Sequence, residues 1–498
     1  MICIPIIANT VDDVLRDMAE ASKVADIIEL RLDYIKNPDL KRILERRTRP
    51  VIVTNRPTRE GGKFDGSEEE RVAMLKLAIR LQADFIDVEH DSIQYINRDT
   101  EPRVPAGKTK LIVSYHNFRE TPADLTDIYQ KLRQCGADMV KIVTFANTIT
   151  DNIKIYRLLQ QAQAPLISFC MGEYGIISRI LYKRFGSYLT FASLQKGKES
   201  APGQINIHEL FHVYQPQKQD KHTTIYGLIG NPVSHSISPI IHNTLFREMD
   251  FNSIYVPFKV DNIGDFIREF RELDVKGYSV TIPHKESVLN HLDAIDLMAK
   301  KIGAVNTIIN RDGRLVGYNT DCDAAIQALE DINQASATGT KNDRLQGRHV
   351  TLLGAGGAAR AIAFGLHERG AQVTIVNRNY ERAQSLARDV GCISMKFNNL
   401  PEVKTDILIN ATPVGMFPKI NETPIDKDRL KPGMIVFDTI YNPIETRLLR
   451  EAKTQGCKII GGLPMFANQA AAQFELWTGV TPPRELIREI AYKKLRGE

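Results

Sequence analysis

The sequence has no apolar run reaching the roughly 18 residues that a membrane-spanning helix needs, and no Lys/Arg block that reads as a nucleic-acid stripe. Its six cysteines (Cys3, Cys135, Cys170, Cys322, Cys392 and Cys457) are scattered. They form no C-x-x-C pair and no Cys/His cluster at zinc spacing, so buried, reduced thiols in a cytoplasmic protein are expected, without a metal. The single tryptophan, Trp477, stands near the end of an expected helix and is read as packing rather than cofactor stacking. The opening Met1–Asn9 has no basic region and meets Asp12 and Asp13, which reads as a first strand rather than a signal or transit peptide. Charge of either sign is hardly in excess: 65 basic against 60 acidic side chains, formally +5. That small excess suits small anionic substrates or an inert surface equally.

What is present is an α/β pattern. The 498 residues allow two to four domains at about 100–200 residues each. In residues 1–214 eight short apolar runs alternate with helical patterns: Ile2–Ala8, Ile27–Leu30, Val51–Thr54, Phe85–Val88, Leu111–Ser114, Met139–Val143, Leu166–Phe169 and Tyr188–Phe191. Near-continuous hydrophobicity suits parallel strands buried on both faces. Eight βα units predict a (β/α)8 TIM barrel, with an open doubly wound sheet as the alternative. The polar stretch 215–222 reads as a linker. A second α/β half follows, 223–335, then a polar loop from Asn333 to Gln346, then 345–465, with terminal helices 466–498 expected to return to the first of these subdomains.

Barrel chemistry sits at strand C-termini, and there lie Glu29, Arg31, Arg56, His116 and Arg179, with Lys141 inside the sixth run. A lysine in an apolar strand must be desolvated. Desolvation and neighbouring cations favour the neutral, nucleophilic amine, which condenses with a ketone to a Schiff base. A lysine snorkelling from a strand end to water is the competing reading. His116 suits proton transfer near neutrality or a plain core position. The three arginines suit a carboxylate or surface ion pairs.

Taken in order, Glu29-Leu30-Arg31-Leu32-Asp33, Asn55-Arg56-Pro57-Thr58-Arg59-Glu60-Gly61-Gly62, Ser114-Tyr115-His116-Asn117-Phe118, the segment around Lys141, Met171-Gly172 through Ser178-Arg179, and Ser200-Ala201-Pro202-Gly203-Gln204 resemble type I 3-dehydroquinate dehydratase. The resemblance implies an imine between Lys141 and 3-dehydroquinate, with His116 moving the proton and Glu29 orienting His116. It also implies that Arg31, Arg56 and Arg179 hold the substrate, and that Ser200 and Gln204 lie on a closing loop.

In the second half, Gly354-Ala355-Gly356-Gly357-Ala358-Ala359 follows the run His349–Leu353 and opens a helical run to Arg369, with another strand, Gln372–Val376, behind it. This is the context of a Rossmann dinucleotide fingerprint, whose glycines admit a pyrophosphate to a helix N-terminus. Where NAD enzymes place Asp or Glu, this chain has Asn377-Arg378. Arg378 would pair with a 2′-phosphate, so NADP is predicted; a solvated arginine is the alternative. Upstream, Lys285 follows a run and Asp321 stands at a helix start, a pair able to shuttle a proton to an alkoxide, or else a surface lysine and an N-cap.

Residues 223–498 resemble shikimate dehydrogenase through Gly230 to Pro239, Ser279 to Glu286, Gly303-Ala304-Val305-Asn306-Thr307, Gly317 to Asp323, Asn410 to Met416, Asp438 to Pro443, and Gly462-Leu463-Pro464-Met465 with Gln469. The resemblance implies that Ser236, Ser238, Thr281, Asn306, Asp321 and Gln469 contact shikimate, with Tyr441 bordering the site. Lys285 is the implied acid/base, with Asp321 its partner. Gly354, Ala355, Gly356, Gly357, Ala358, Asn377, Arg378, Asn410, Ala411, Thr412 and Met465 would hold NADP. Asn379 and Ile237 depart from the family pattern, the first putting one 2′-phosphate hydrogen bond in question. The combined expectation is a fusion that dehydrates 3-dehydroquinate to 3-dehydroshikimate and reduces that to shikimate. A quinate-preferring dehydrogenase half, using NAD, and a non-catalytic metabolite sensor are the alternatives.

Overall fold

A computed structural model describes residues 1–97, 109–332, 345–398 and 404–497. Most of the polar loop expected at Asn333–Gln346 lies outside these residues. Contacts divide the chain into two compact units, residues 1–224 with 251–272, and residues 225–250 with 273–498.

The first unit holds strands β1 (Ile2–Ile6), β2 (Ile27–Arg31), β3 (Val51–Thr54), β4 (Phe85–Glu89), β5 (Lys110–His116), β6 (Met139–Phe145), β7 (Leu166–Met171), β8 (Thr190–Ser193) and a short β9 (Ile205–Asn206). The first seven pair in chain order, all parallel, and β8 pairs with β1. The Tyr188 N–H, just before β8, donates to the Leu166 carbonyl at 2.9 Å, so the curled sheet meets itself between β7 and β8. The strands are buried along nearly their whole length, as parallel strands covered on both faces must be. Inside the sheet, register sets Glu89 beside Ser114 and Ser114 beside Lys141. Polar side chains from β2, β4, β5 and β6 thus share one enclosure.

Residues 224–318 form a mixed sheet of β10 (Thr224–Gly230), β11 (Ser253–Lys259), β12 (Gly277–Val280), β13 (Ala294–Ile295), β14 (Thr307–Arg311) and β15 (Arg314–Tyr318), in the order β11-β10-β12-β14-β15-β13. β16 (His349–Leu353), β17 (Gln372–Val376), β18 (Ile393–Met395), β19 (Ile407–Asn410), β20 (Ile435–Asp438) and β21 (Lys458–Ile460) form an all-parallel sheet, β18-β17-β16-β19-β20-β21. This is the Rossmann order, with the chain reversing direction across the sheet at β16. Apolar clusters cover it, one including Leu352, Ile362 and Phe437, the other Leu353, Val436 and Leu449.

The helix Gly462–Thr478 starts before the expected Phe466 and packs on the mixed sheet. Trp477 Nε1 donates to the Ile308 carbonyl at 3.1 Å, and a Cβ on Gly277 would lie 2.4 Å from the indole nitrogen. The indole is therefore a packing element. Among the described residues no helix is long and apolar enough to cross a membrane.

Candidate active sites

The first site is an open cavity at the C-terminal ends of the barrel strands. Glu29, Arg31, Arg56, His116, Lys141, Arg179, Ser200 and Gln204 all line it, so the structure brings together every residue expected there. What each one touches differs from expectation in three respects.

Lys141 is 4% exposed, so it does not snorkel. Its Nζ lies 2.8 Å from Asp87 Oδ2 and 3.3 Å from Glu29 Oε1, and 4.7 Å above the Phe191 ring. The expected uncharged amine among guanidinium groups is thus corrected. The amine is ion-paired with two carboxylates and reaches Arg56 only through Asp87, whose Oδ2 accepts from both.

Glu29 does not orient His116. Its carboxylate is used by Lys141 and by the Thr54 hydroxyl at 3.0 Å. The partner of His116 is Glu60, with Oε2 2.9 Å from Nδ1. The turn after β3 brings Glu60 there. It folds so tightly that a Cβ on Gly62 would lie 1.9 Å from the Arg56 carbonyl oxygen. Burial, with the Arg56 and Lys141 cations, holds His116 well below the usual histidine range, so the ring is neutral. Burial pushes Glu60 up to about 8.

The arginines divide. Arg31 forms a bidentate pair with Asp33, at 2.9 and 2.7 Å. Arg56 donates to Asp87, Glu89 and Ser114 at 2.7, 2.6 and 2.9 Å. Both guanidinium groups border the cavity already committed to carboxylates, because a cation buried this deeply needs anionic partners of its own. Arg179 is the exception. It is buried over the Phe169 ring, 4.3 Å from its centroid, and its Nε and Nη2 have no hydrogen-bond partner among the described residues. Burial pulls it down to about 10. Gln204 Nε2 is a second buried donor without a partner there, while Gln204 Oε1 accepts from the Ser200 amide and hydroxyl at 2.7 and 3.2 Å. Cation and amide donors left open in one cavity suit a carboxylate.

The second site surrounds Lys285, whose Nζ lies 2.5 Å from Asp321 Oδ2. Asp321 starts the helix Asp321–Ile332. Its other oxygen accepts from Asn306 Nδ2 at 2.9 Å, and Asn306 Oδ1 in turn accepts from the Thr320 amide at 2.8 Å. Gln473, which the sequence reading missed, donates to the Asn306 carbonyl and the Thr307 hydroxyl, both at 3.0 Å, and accepts from Ser279. Ser236 Oγ accepts from the Ser238 amide at 3.2 Å, and Thr281 follows β12. Gln469 donates to the Phe466 carbonyl, and Tyr441 packs on the Phe466 ring at 4.6 Å, with burial pushing its phenol up to about 12. Ile237 is buried.

The dinucleotide loop adjoins this dyad: a Cβ on Gly357 would lie 3.1 Å from Lys285 Cδ. Gly354 has φ +119° and a Cβ there would sit 2.8 Å from the Ala411 carbonyl, so only glycine fits where β16 turns under the neighbouring loop. By contrast a Cβ on Gly356 would meet nothing within 4 Å, and no side chain caps the helix Gly357–Glu368. Ala355 and Ala358 flank this open cradle, whose amides fit a pyrophosphate. Arg378 is exposed beyond β17, while Asn377 Nδ2 is tied to the Asn379 carbonyl. Asn379 Oδ1 caps the helix Tyr380–Val390 through the Arg382 amide, which fixes this side chain beside Arg378 and leaves its Nδ2 as a neutral donor next to the cation. Asn410 is fully buried and hydrogen-bonded to Asp438, Val414 and Thr412. Its side chain fixes the loop rather than facing a cofactor, so Ala411 and Thr412 present that edge. Met465 lies in the first turn of the helix Gly462–Thr478 and is buried.

Residues 2–221 match the family described as type I 3-dehydroquinase. Residues 228–308 match the shikimate dehydrogenase substrate-binding domain, 336–437 shikimate/quinate 5-dehydrogenase, and 462–492 the shikimate 5′-dehydrogenase C-terminal domain. The chain is 43% identical over 509 aligned residues to the Arabidopsis thaliana protein named bifunctional 3-dehydroquinate dehydratase/shikimate dehydrogenase, chloroplastic, covering 99% of this chain and 84% of that one.

The chain belongs to the bifunctional 3-dehydroquinate dehydratase/shikimate dehydrogenase family.

Its dehydrogenase half is also 41% identical over 282 residues to a shikimate dehydrogenase (NADP(+)) of Bacillus cereus, spanning 55% of this chain and 99% of that protein. A crystal structure of shikimate dehydrogenase in complex with NADP+ superposes with TM-score 0.51 at 39% identity, covering 56% of this chain and 97% of that one. The barrel cavity thus lies in the part of the chain that matches type I 3-dehydroquinase, and the Lys285–Asp321 dyad in the half that is similar to shikimate dehydrogenase.

Proposed function

We infer that this chain catalyses two consecutive steps: dehydration of 3-dehydroquinate to 3-dehydroshikimate in the barrel, and NADPH-dependent reduction of 3-dehydroshikimate to shikimate in the second half. The observation that carries the first step is a buried lysine at the base of a cavity that also holds a neutral imidazole and an unpartnered guanidinium.

Arg179 and Gln204 anchor the substrate carboxylate, which sets the ring over Lys141. The amine of Lys141, once its proton has left, adds to the ketone carbon, and loss of water gives a protonated imine. That imine draws electrons from the adjacent carbon, so its C–H proton passes to His116. The resulting enamine expels the C1 hydroxyl, to which His116 returns the proton, and the leaving group departs as water. Hydrolysis of the imine releases 3-dehydroshikimate and the free amine. Ser200 and Gln204, hydrogen-bonded to each other, limit water at the mouth.

In the second site Lys285 delivers a proton to the ketone oxygen as it is reduced, and Asp321, held by Asn306, keeps the ammonium in place. NADPH supplies the hydride when bound. Gly354, Gly356 and Gly357 would admit its pyrophosphate, and Arg378 its 2′-phosphate.

Incubating the purified chain with 3-dehydroquinate and NADPH tests the reading. Shikimate should accumulate with one NADPH consumed per molecule. Accumulation of 3-dehydroshikimate with no loss of nicotinamide absorbance would refute the second activity, and unchanged 3-dehydroquinate would refute the first.

A further inference from the structure

Three buried acids in this barrel, Asp87, Glu89 and Glu29, lie close enough to influence Lys141 directly or through one arginine. Glu29 lines the cavity and can meet the substrate. Glu89 is spent on Arg56 and on Arg71, at 2.6 and 2.5 Å. Asp87 is different. It is fully buried and absent from the cavity wall, so it approaches the amine from beneath, where substrate does not reach. Its Oδ2 lies 2.8 Å from Lys141 Nζ and 2.7 Å from Arg56 Nη2, and its Oδ1 accepts the Ser114 hydroxyl at 2.6 Å. Both oxygens are fixed, and neither can turn away when the lysine reacts.

Resting on the imine reading above, we propose that Asp87 is the permanent counter-ion of Lys141, a positioning residue that stabilises the resting ammonium and then the protonated imine without moving. The site carries one positive charge on this nitrogen before condensation and one after it. A fixed carboxylate beneath the nitrogen serves both states with no reorganisation. Asp87 Oδ2 is shared between Lys141 and Arg56, so its charge is not given to the amine alone. Asp87 remains ionised throughout: burial opposes this, but Arg56 and Lys141 together hold its carboxyl far below the usual range.

Other groups around the nitrogen bound the expected effect. Cys3 of β1, Glu29 and Arg31 of β2, Arg56 and Glu60 of the turn after β3, Glu89 of β4, His116 of β5 and Arg179 beyond β7 all surround the same enclosure. Of these, only Glu29 adds a second carboxylate in direct contact with the amine. Removing the charge of Asp87 should therefore leave a weakened rather than an absent counter-ion.

The test is borohydride trapping of the full chain with 3-dehydroquinate across a pH series, read as the mass of the reduced adduct on Lys141. Only a protonated imine is reduced efficiently. In Asp87→Asn the alkaline fall in adduct should move to lower pH by about one to three pH units, the size of effect expected from a contacting opposite charge. Ser114→Ala, which keeps all charges and frees Asp87 Oδ1 and Arg56 Nη1 from the Ser114 hydroxyl that holds both, should move it the same way by less. Asp87→Glu should restore part of the shift. A purely architectural role for Asp87 would lower the amount of adduct at every pH and leave its pH dependence in place, and that result overturns the proposal. If Asp87→Asn does not fold, an unshifted Ser114→Ala overturns it. No adduct on Lys141 in the unaltered chain would overturn the imine reading itself, whereas a wild-type adduct with unshifted variants overturns only the role of Asp87.

Discussion

Glu60 Oε2 stands 2.9 Å from His116 Nδ1, closing a partly buried acid–base pair that shares a proton. Burial pushes Glu60 up to about 8 and holds His116 neutral. Below that pH the carboxyl O–H donates to Nδ1, the ring proton sits on Nε2, and no lone pair is free to take a substrate proton. Above it the carboxylate accepts the Nδ1 proton and Nε2 becomes the base. Dehydration, followed through the absorbance of the conjugated product, should therefore gain kcat/KM as pH rises through about 8. Glu60→Gln should remove this activation and lower kcat on the order of 10²-fold. A wild-type profile that is flat or falls across this range would contradict the pairing.

The two chemistries use separate lysines. Lys141→Ala should abolish dehydration, by 10³-fold or more on the order of magnitude seen when a nucleophile is removed, and leave NADP+-linked oxidation of shikimate intact. Lys285→Ala should do the reverse, reducing shikimate oxidation by roughly 10²–10⁴-fold. Assaying both reactions on each folded variant decides the matter. Loss of both activities from a single substitution would mean that the sites are not independent.

Arg179 predicts opposite signs for function and stability. Its guanidinium is buried with Nε and Nη2 lacking partners among the described residues, and burial depresses it to about 10. Arg179→Met keeps the length over Phe169 and removes the charge. The catalytic efficiency of dehydration should fall by about 10²-fold or more, as two charge-assisted hydrogen bonds are lost. The ligand-free protein should at the same time become more stable by about 1–3 kcal/mol, because unsatisfied buried donors disappear. Thermal unfolding without substrate measures the second effect; a lower midpoint would show that Arg179 has a structural partner after all.

The barrel and the Rossmann sheet were legible in the sequence because parallel strands buried on both faces must be apolar runs, and all eight expected barrel runs overlap strands, the last, Tyr188–Phe191, only in its second half. Lys141 stood out for the same reason, as a charge inside such a run. That argument applied equally to Asp87 and Glu89, two acids in Phe85–Glu89, and following it would have found the counter-ion. Glu60 was hidden for a different reason. It lies on an irregular turn whose path depends on Gly61 and Gly62 packing against Phe118 and Arg56, a matter of tertiary contact that no periodicity carries. Gln473 was invisible because its partners Asn306 and Thr307 lie more than 160 residues upstream.

Cofactor choice rests on one exposed side chain. Asn379 Oδ1 is occupied by the Arg382 amide, and Asn377 Nδ2 donates to the Asn379 carbonyl. Arg378 is the one cation among these three that can meet a 2′-phosphate beyond β17. Arg378→Asp replaces an attraction with a repulsion for that phosphate and supplies the carboxylate that accepts a ribose 2′-hydroxyl. The ratio of kcat/KM for NADP+ to that for NAD+ in shikimate oxidation should fall by roughly 10–100-fold, the worth of one hydrogen bond to a charged group at 1.5–3 kcal/mol. Most of the change should appear in the KM for NADP+, since the side chain is remote from the reacting atoms and binds the ground and transition states alike. The dehydratase rate of the same variant serves as the internal control. A ratio unchanged by the substitution would mean that Arg378 is solvated in the complex and that selectivity for the phosphorylated cofactor comes from another part of the cleft.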